Sequence, residues 1–173
     1  LRKYQGDAAC YEKLLPIESP YLPKILEVAS LDSSVLVLEE FVDGDSVAEM
    51  LKETLFTEKE TRRIALDICR GLYVLHSLGI VHRDVKPENM ILHEDRAVLL
   101  DFDAARIVKE TVSADTHVLG TTGFAAPEQY GLSQTDSRAD IYALGVSINL
   151  LLTGEHPSNR LAPGRFGRIV TRC

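Results

Sequence analysis

Eight consecutive residues, His82-Arg83-Asp84-Val85-Lys86-Pro87-Glu88-Asn89, put a carboxylate, an ammonium and a carboxamide within a few positions of one another. Short apolar runs flank them, Ile80-Val81 on one side and Met90 to Leu92 on the other. Their polar side chains therefore project from a loop held at both ends. Phosphoryl transfer asks for three things: a carboxylate to accept or orient a hydroxyl proton, a cation near the moving group, and oxygen ligands for magnesium. Asp84 offers the first, Lys86 the second and Asn89 part of the third. Further along, Asp101-Phe102-Asp103 adds a hard carboxylate of the kind magnesium prefers. A charged surface turn would account for His82-Arg83-Asp84 alone, but not for the whole set. His82 itself reads as a partly buried structural histidine.

The elements that must hold these residues are legible in part. Residues 1–24 read as a short helix around Ala8 to Leu15, ended by Pro16 and a Ser-Pro-Tyr-Leu-Pro turn. Extended runs follow at Lys24 to Val28 and Val35 to Leu38. Asp43-Gly44-Asp45 breaks the chain, and Ser46 is placed to cap a helix over Val47 to Glu53. Thr57-Glu58-Lys59-Glu60 fits a capping box, and Ile64, Ile68, Leu72 and Leu75 recur at helical spacing up to Gly79. That predicts a long amphipathic helix from Glu58 to Leu78. Strand-like runs lie at Ile80-Val81, Met90 to Leu92 and Ala97 to Leu100. A loop-rich stretch from Asp103 to about Ser137 precedes Ala139 to Leu152, which is apolar nearly all round and reads as a helix buried on every side.

Composition narrows the function classes. The chain has 173 residues, 45% hydrophobic and 26% charged, enough for one domain with a real core. Its net charge of -7 argues against nucleic acid and gives no basic stripe for anionic lipid. Cys10, Cys69 and Cys173 lack metal-type spacing and indicate neither a disulfide framework nor a zinc site. A reducing, cytoplasmic setting is the simpler expectation, with an anchor outside these residues left open. The most apolar segment, Ile141 to Leu152, is too short to span a bilayer. The two ends read as cut: Leu1-Arg2-Lys3 starts without a cap, and Arg168 to Cys173 looks like a helix stopped early, as in an internal piece of a longer chain.

Taken together, His82 to Asn89 resembles the catalytic loop of eukaryotic-type protein kinases, and a lysine two residues after Asp84 is typical of the serine/threonine class. Asp101-Phe102-Asp103 resembles their magnesium motif, and Gly120-Thr121 with Ala126-Pro127-Glu128 resembles the end of their activation segment. Asp140 to Gly145 is similar to the start of their central buried helix. The resemblance covers nearly the whole chain in the family's order, with a bacterial flavour. It implies an α+β, two-lobe fold, with residues 1–42 as the remainder of the small lobe and hinge and 43–173 as a truncated catalytic lobe.

It also implies roles. Asp84 would be the catalytic base, Lys86 would stabilise charge on the transferred group, and Thr121 would position the substrate loop against that pair. Asn89 and Asp101 would hold Mg2+, with ATP and a protein bearing a Ser or Thr hydroxyl as the two substrates. The backbone carbonyl of Glu40 and amide of Val42 would contact adenine, with Ile91 beneath the ring. Arg83 would meet a phosphate on the activation segment, for which Thr111, Ser113, Thr116 and Thr122 are candidate acceptors, or else pair with a carboxylate.

Several features depart from the pattern. No glycine-rich phosphate loop is present, and the strand carrying the ATP-binding lysine is expected upstream of Leu1. The glutamate partner of that lysine is unsettled: the usual register lands on Cys10, Glu12 is favoured and Asp7 is the other nearby acid. Asp103 stands where glycine is usual, although the metal-binding Asp101 is kept. The arginine expected to pair with Glu128 belongs to helices that these residues do not reach. The expectation is a serine/threonine kinase whose present piece has little activity by itself. A pseudokinase serving as a regulatory binding module is the alternative, and a small-molecule phosphotransferase of similar fold is a more remote one.

Overall fold

The computed structural model describes residues 1–5, 8–31, 34–108, 124 and 136–173. Three antiparallel strands form the first sheet, β1 (Arg2–Gln5), β2 (Ile25–Leu31) and β3 (Ser34–Glu39), in the order β1-β3-β2. Val35 and Val37 of β3 are buried and Leu38 is exposed, as alternation on a half-covered strand requires. Residues opposite one another across an antiparallel pair share a face. Arg2 stands opposite Val37 and Tyr4 opposite Val35, so both turn inward. Beneath them packs α1 (Ala9–Leu14), whose Tyr11 and Leu14 are buried, with the Tyr4 and Tyr11 ring centroids 5.4 Å apart.

The two expected extended runs are thus present, and the expected first helix too. β1 is a strand that the sequence does not suggest. Arg-Lys-Tyr-Gln carries no apolar alternation, and its extended state comes from hydrogen bonds to β3, far along the sequence.

The chain continues through β4 (Asp45–Ser46), α2 (Val47–Glu53), α3 (Glu58–Ser77), β5 (Ile80–Val81), a 3-10 turn at Pro87–Asn89, β6 (Met90–His93), β7 (Arg96–Leu99), β8 (Arg106–Ile107), α4 (Ser137–Thr153) and α5 (Gly164–Val170). β4, β6 and β7 make a second sheet, and β5 pairs with β8. Ser46 does not cap α2 with its side chain. Its backbone is instead paired with Ile91 of β6, and the helix starts without that bond. The chain can pass this close to β6 because residue 44 is glycine: a Cβ there would lie 2.3 Å from the Leu92 carbonyl oxygen and 2.8 Å from Ile91 Cγ2.

α3 begins with the expected capping box. The Thr57 hydroxyl accepts from the Glu60 amide at 3.3 Å, and the Glu60 carboxylate accepts from the Thr57 amide at 2.9 Å. Ile64, Ile68, Leu72 and Leu75 are buried along one face, and Gly79 takes the left-handed conformation (φ 71°) that ends the helix. Each such side chain, fully buried, stabilises by roughly 1.5–3 kcal/mol. Asp67 fastens α3 to β7 by accepting from the Ala97 amide at 3.2 Å while pairing with Arg70 at 2.9 Å.

α4 is capped by Asp136, which accepts from the Arg138 amide at 2.8 Å, and it is buried over most of its surface. Its buried Asn149 donates to the carbonyls of Glu155 and Arg160 and accepts from the Ala162 amide, folding the following turn back onto the helix. Among the described residues, no helix is long and apolar enough to cross a membrane. The three cysteines are free thiols.

Candidate active site

The loop after β5 is shaped from below by one carboxylate. Asp140, in the first turn of α4, has no exposed surface; its Oδ2 accepts from the His82 amide at 2.9 Å and its Oδ1 from the Arg83 amide at 2.8 Å. His76 Nε2 lies 2.8 Å from the same Oδ2. Arg83 occupies the left-handed region (φ 71°), which costs a non-glycine residue about 1–2 kcal/mol. The two bonds to a buried charge hold that conformation, and with it the direction in which Asp84 leaves the loop.

His82 is the second support. It is fully buried; its Nε2 meets the Leu100 carbonyl at 3.0 Å, and its Nδ1 accepts from the Asp84 amide at 3.3 Å. Those partners fix the neutral tautomer with the proton on Nε2, and burial pushes the imidazole pKa below its ordinary value. His82 therefore joins the loop to the end of β7, with its ring edge-on to Phe102 at 5.6 Å between centroids. Phe102 in turn meets Tyr11 at 6.0 Å. The structural reading of His82 agrees with this arrangement.

Above the supports, the expected side chains converge. Lys86 Nζ is 2.8 Å from Asp84 Oδ2, and Asn89 Nδ2 donates to the same oxygen at 3.0 Å and to the Asp84 carbonyl at 2.8 Å. With two acceptors claiming its amino end, the Asn89 carboxamide must turn its own oxygen away from Asp84. The Leu100 amide donates to the Asn89 carbonyl at 2.8 Å, which brings Asp101, the next residue, alongside. Asp101 is itself left-handed (φ 68°) and about one-third exposed. Among the described residues, no group of three or more His, Cys, Asp and Glu side chains forms a cage for a metal ion. Asp101 with Asn89 instead offers a few hard oxygens, and that fits magnesium, which takes few protein ligands and completes its shell from water and substrate phosphates.

Glu12 is exposed on α1. Tyr11 of α1 reaches the site, its hydroxyl donating to Asp103 Oδ1 at 2.7 Å. Burial, then this hydrogen bond, holds its phenol pKa well above the usual value. A second cation reaches the site from β1. Arg2 Nη1 is 2.6 Å from Asp101 Oδ1 and 3.3 Å from Asp103 Oδ2, and its Nε is 3.2 Å from Glu39 Oε1. Burial pulls the guanidinium pKa down, but Asp101, Glu39 and Asp103 together leave it above its ordinary value. Asp103 is not asked for a positive φ; that conformation falls on Asp101. Its carboxylate serves Arg2 and Tyr11 instead.

Among the residues expected to meet adenine, the Glu40 amide donates to the Lys24 carbonyl at 2.8 Å, fixing the turn after β3. Val42 is half-buried, and half-buried Ile91 sits on β6 beside Gly44. Arg83 is buried; burial and the nearby Arg106 lower its guanidinium pKa, while Asp140 opposes them. Thr121, the candidate acceptors Thr111, Ser113, Thr116 and Thr122, the Ala126-Pro127-Glu128 motif and Asp7 lie outside the described residues. Sequence reasoning missed Arg2, Tyr11, Glu39 and the supporting role of Asp140. The last had a signal, a carboxylate opening an otherwise apolar helix.

Comparison with known proteins agrees with this geometry. The family model described as "Protein kinase domain" matches residues 11–165. A probable serine/threonine-protein kinase of Clostridium perfringens is 30% identical over 94% of this chain and 24% of its own length. The serine/threonine-protein kinase PknA of Nostoc sp. is 32% identical over 97% of this chain and 31% of its own length. A probable serine/threonine-protein kinase, PknB, of Corynebacterium glutamicum is 36% identical over 73% of this chain and 20% of its own length. The chain thus spans at most about a third of the length of these relatives.

Proposed function

The chain belongs to the protein kinase family, with an α+β kinase fold and bacterial serine/threonine kinases among its relatives, and on that premise we propose that it carries the catalytic loop and metal-binding side chains of an ATP-dependent serine/threonine protein kinase. The observation that carries this reading is the convergence of Lys86 and Asn89 on one oxygen of Asp84, beside the strand end that bears Asp101.

In this reading Asp84 Oδ2 orients the acceptor hydroxyl and takes its proton. Lys86, ion-paired to that oxygen in the resting site, supplies positive charge where negative charge develops on the transferred group. Asn89 and Asp101 are the ligands for Mg2+, which when bound offsets the charge of the triphosphate. Glu40 and Val42 present backbone groups to adenine, Ile91 lies beneath it, and Thr121 faces the substrate. Residues 1–42 serve as the small-lobe part and hinge, and 43–173 as the catalytic lobe. No glycine-rich loop occurs in these residues, so the chain alone turns over little.

A second reading, a pseudokinase acting as a binding module, is favoured by one observation: it is the Tyr11 hydroxyl that α1 sends to Asp103, while Glu12 is exposed. Autophosphorylation of the full-length protein from labelled ATP separates the two. The kinase reading expects incorporation that Asp84→Ala lowers by about 10²–10⁴-fold. Incorporation equal in the wild type and the variant overturns the assignment of Asp84, and none in either supports the binding module.

A further inference from the structure

Besides its buried face, α3 turns Arg62, Leu66, Cys69 and Tyr73 outward at helical spacing, all of them exposed. Next to that stripe, between α3 and α5 and over part of α4, lies a groove of about 950 Å³. Leu66 of α3, Ile148 of α4, and Phe166 and Ile169 of α5 give it an apolar lining. Leu66 and Ile169 remain 46% and 47% exposed, so the chain itself does not cover them. The edges are basic. Lys59 and Arg62 stand three apart on α3, while Arg165, Arg168 and Arg172 fall at i, i+3 and i+7 along α5 and the turn after it, so each set shares one face.

Among the described residues, none of these five side chains makes an ion pair or hydrogen bond. Arg63 and Arg70 on the same helix are paired, with Asp95 at 3.0 Å and Asp67 at 2.9 Å. Outside the groove, among the described lysines and arginines, only Lys3 is left in the same state. On a chain of net charge -7, unpaired cations gathered along one groove make a local positive field that the rest of the surface lacks. A flat bilayer or a nucleic acid would meet the basic edges but leave the recessed apolar lining wet, and the acidic remainder of the chain repels both. A helix with an apolar stripe between two rows of carboxylates satisfies the lining and both edges together.

We propose that the groove between α3 and α5 is a docking site for an acidic amphipathic helix of a partner protein, whose apolar stripe packs on Leu66, Phe166 and Ile169 and whose carboxylates pair with the two basic edges. Four of the five cations are arginines, whose planar forks bind carboxylates bidentately. The groove shares no residue with the loop from His82 to Asn89 or with Asp101, so the inference stands apart from the proposed transfer chemistry.

The probe is a fluorescent synthetic helix of about 18 residues, with leucines at i, i+3, i+4 and i+7 and glutamates on both flanks. The full-length protein is titrated into it and binding is followed by anisotropy. A Kd of about 1–100 μM is expected, weakening as salt rises from about 50 to 300 mM. Arg62→Glu and Arg168→Glu, one on each edge, are each expected to weaken binding about three- to tenfold. Lys3→Glu makes the same charge change on exposed β1 and is expected to leave it unaltered. Cys69, an exposed free thiol lining the same groove, is expected to be alkylated by a maleimide more slowly when the peptide is bound. No binding, or equal binding by a scrambled peptide of the same composition, overturns the proposal. So does binding that leaves Cys69 alkylation unchanged, because the peptide then sits elsewhere. Vesicles containing about 30% phosphatidylserine form the last arm: if they bind the protein through Arg62 and Arg168 while the peptide does not, the surface serves a membrane and the proposal fails.

Discussion

Asp140 and Arg83 are joined by a 2.8 Å hydrogen bond from the backbone amide of one to the fully buried carboxylate of the other. A charge on the central helix is thereby spent on the conformation of a loop rather than on a counter-ion. Asp140→Asn would keep one acceptor oxygen but turn an amino group toward an amide donor. The expected cost is about 2–5 kcal/mol, from a lost charge-assisted bond and an unsatisfied buried amide. Urea unfolding of the variant beside the wild type measures it, and a cost under about 0.5 kcal/mol would show that the loop holds its shape without the pin.

His82 makes stability depend on pH. Its pKa is depressed by burial below the ordinary 6.5, so the unfolded chain takes up the proton first as pH falls. Its contribution is complete above the ordinary value and is lost as pH falls from there through the lower folded value. His82→Gln is expected to be less stable than the wild type at pH 7.5 yet to lose less on going from pH 6.5 to 5. Melting temperatures of the two proteins across that range give the comparison, and parallel curves would mean that His82 is not the group being titrated.

Gly44 is needed for close approach, not for an unusual φ. Gly44→Ala puts a methyl carbon against the Leu92 carbonyl oxygen, and the strain of such overpacking is typically about 1–3 kcal/mol. Since the same methyl would press on Ile91, weaker nucleotide binding is expected together with the loss of stability. Chemical denaturation and a nucleotide titration report the two effects separately; loss of stability with nucleotide affinity intact would remove Ile91 from the adenine site.

Thr57 serves as a control far from the chemistry. Thr57→Ala removes one half of the capping box and is expected to cost about 1 kcal/mol of stability. Metal and nucleotide affinities of the variant are expected to match the wild type. A change in either would mean that α3 transmits its end to the loop.

The parts of the site that the sequence makes legible are those written locally. Asp84, Lys86 and Asn89 sit on one short loop, so their meeting needs no knowledge of the rest of the fold. The α3 helix is likewise readable, because its cap and its apolar face lie within one run of residues. What escapes is what depends on partners distant in sequence. Arg2 reaches Asp101 only through the register of β1 on β3, and nothing in Arg-Lys-Tyr-Gln announces that register. Tyr11 reads as an ordinary core residue until its hydroxyl is seen against Asp103. Ser46 has the right chemistry for a helix cap, yet strand pairing with Ile91 takes its backbone and the capping bond is not made.

The short ladder between β5 and β8 has a mechanical corollary. Ile80 and Val81 face Ile107 and Arg106, and the Val108 amide is bonded to the Gly79 carbonyl at 2.8 Å. Polypeptide beyond Val108 is thus stitched at its root to the strand that ends one residue before His82. A tug from that side is resisted at the stitch before it can displace the loop that carries Asp84.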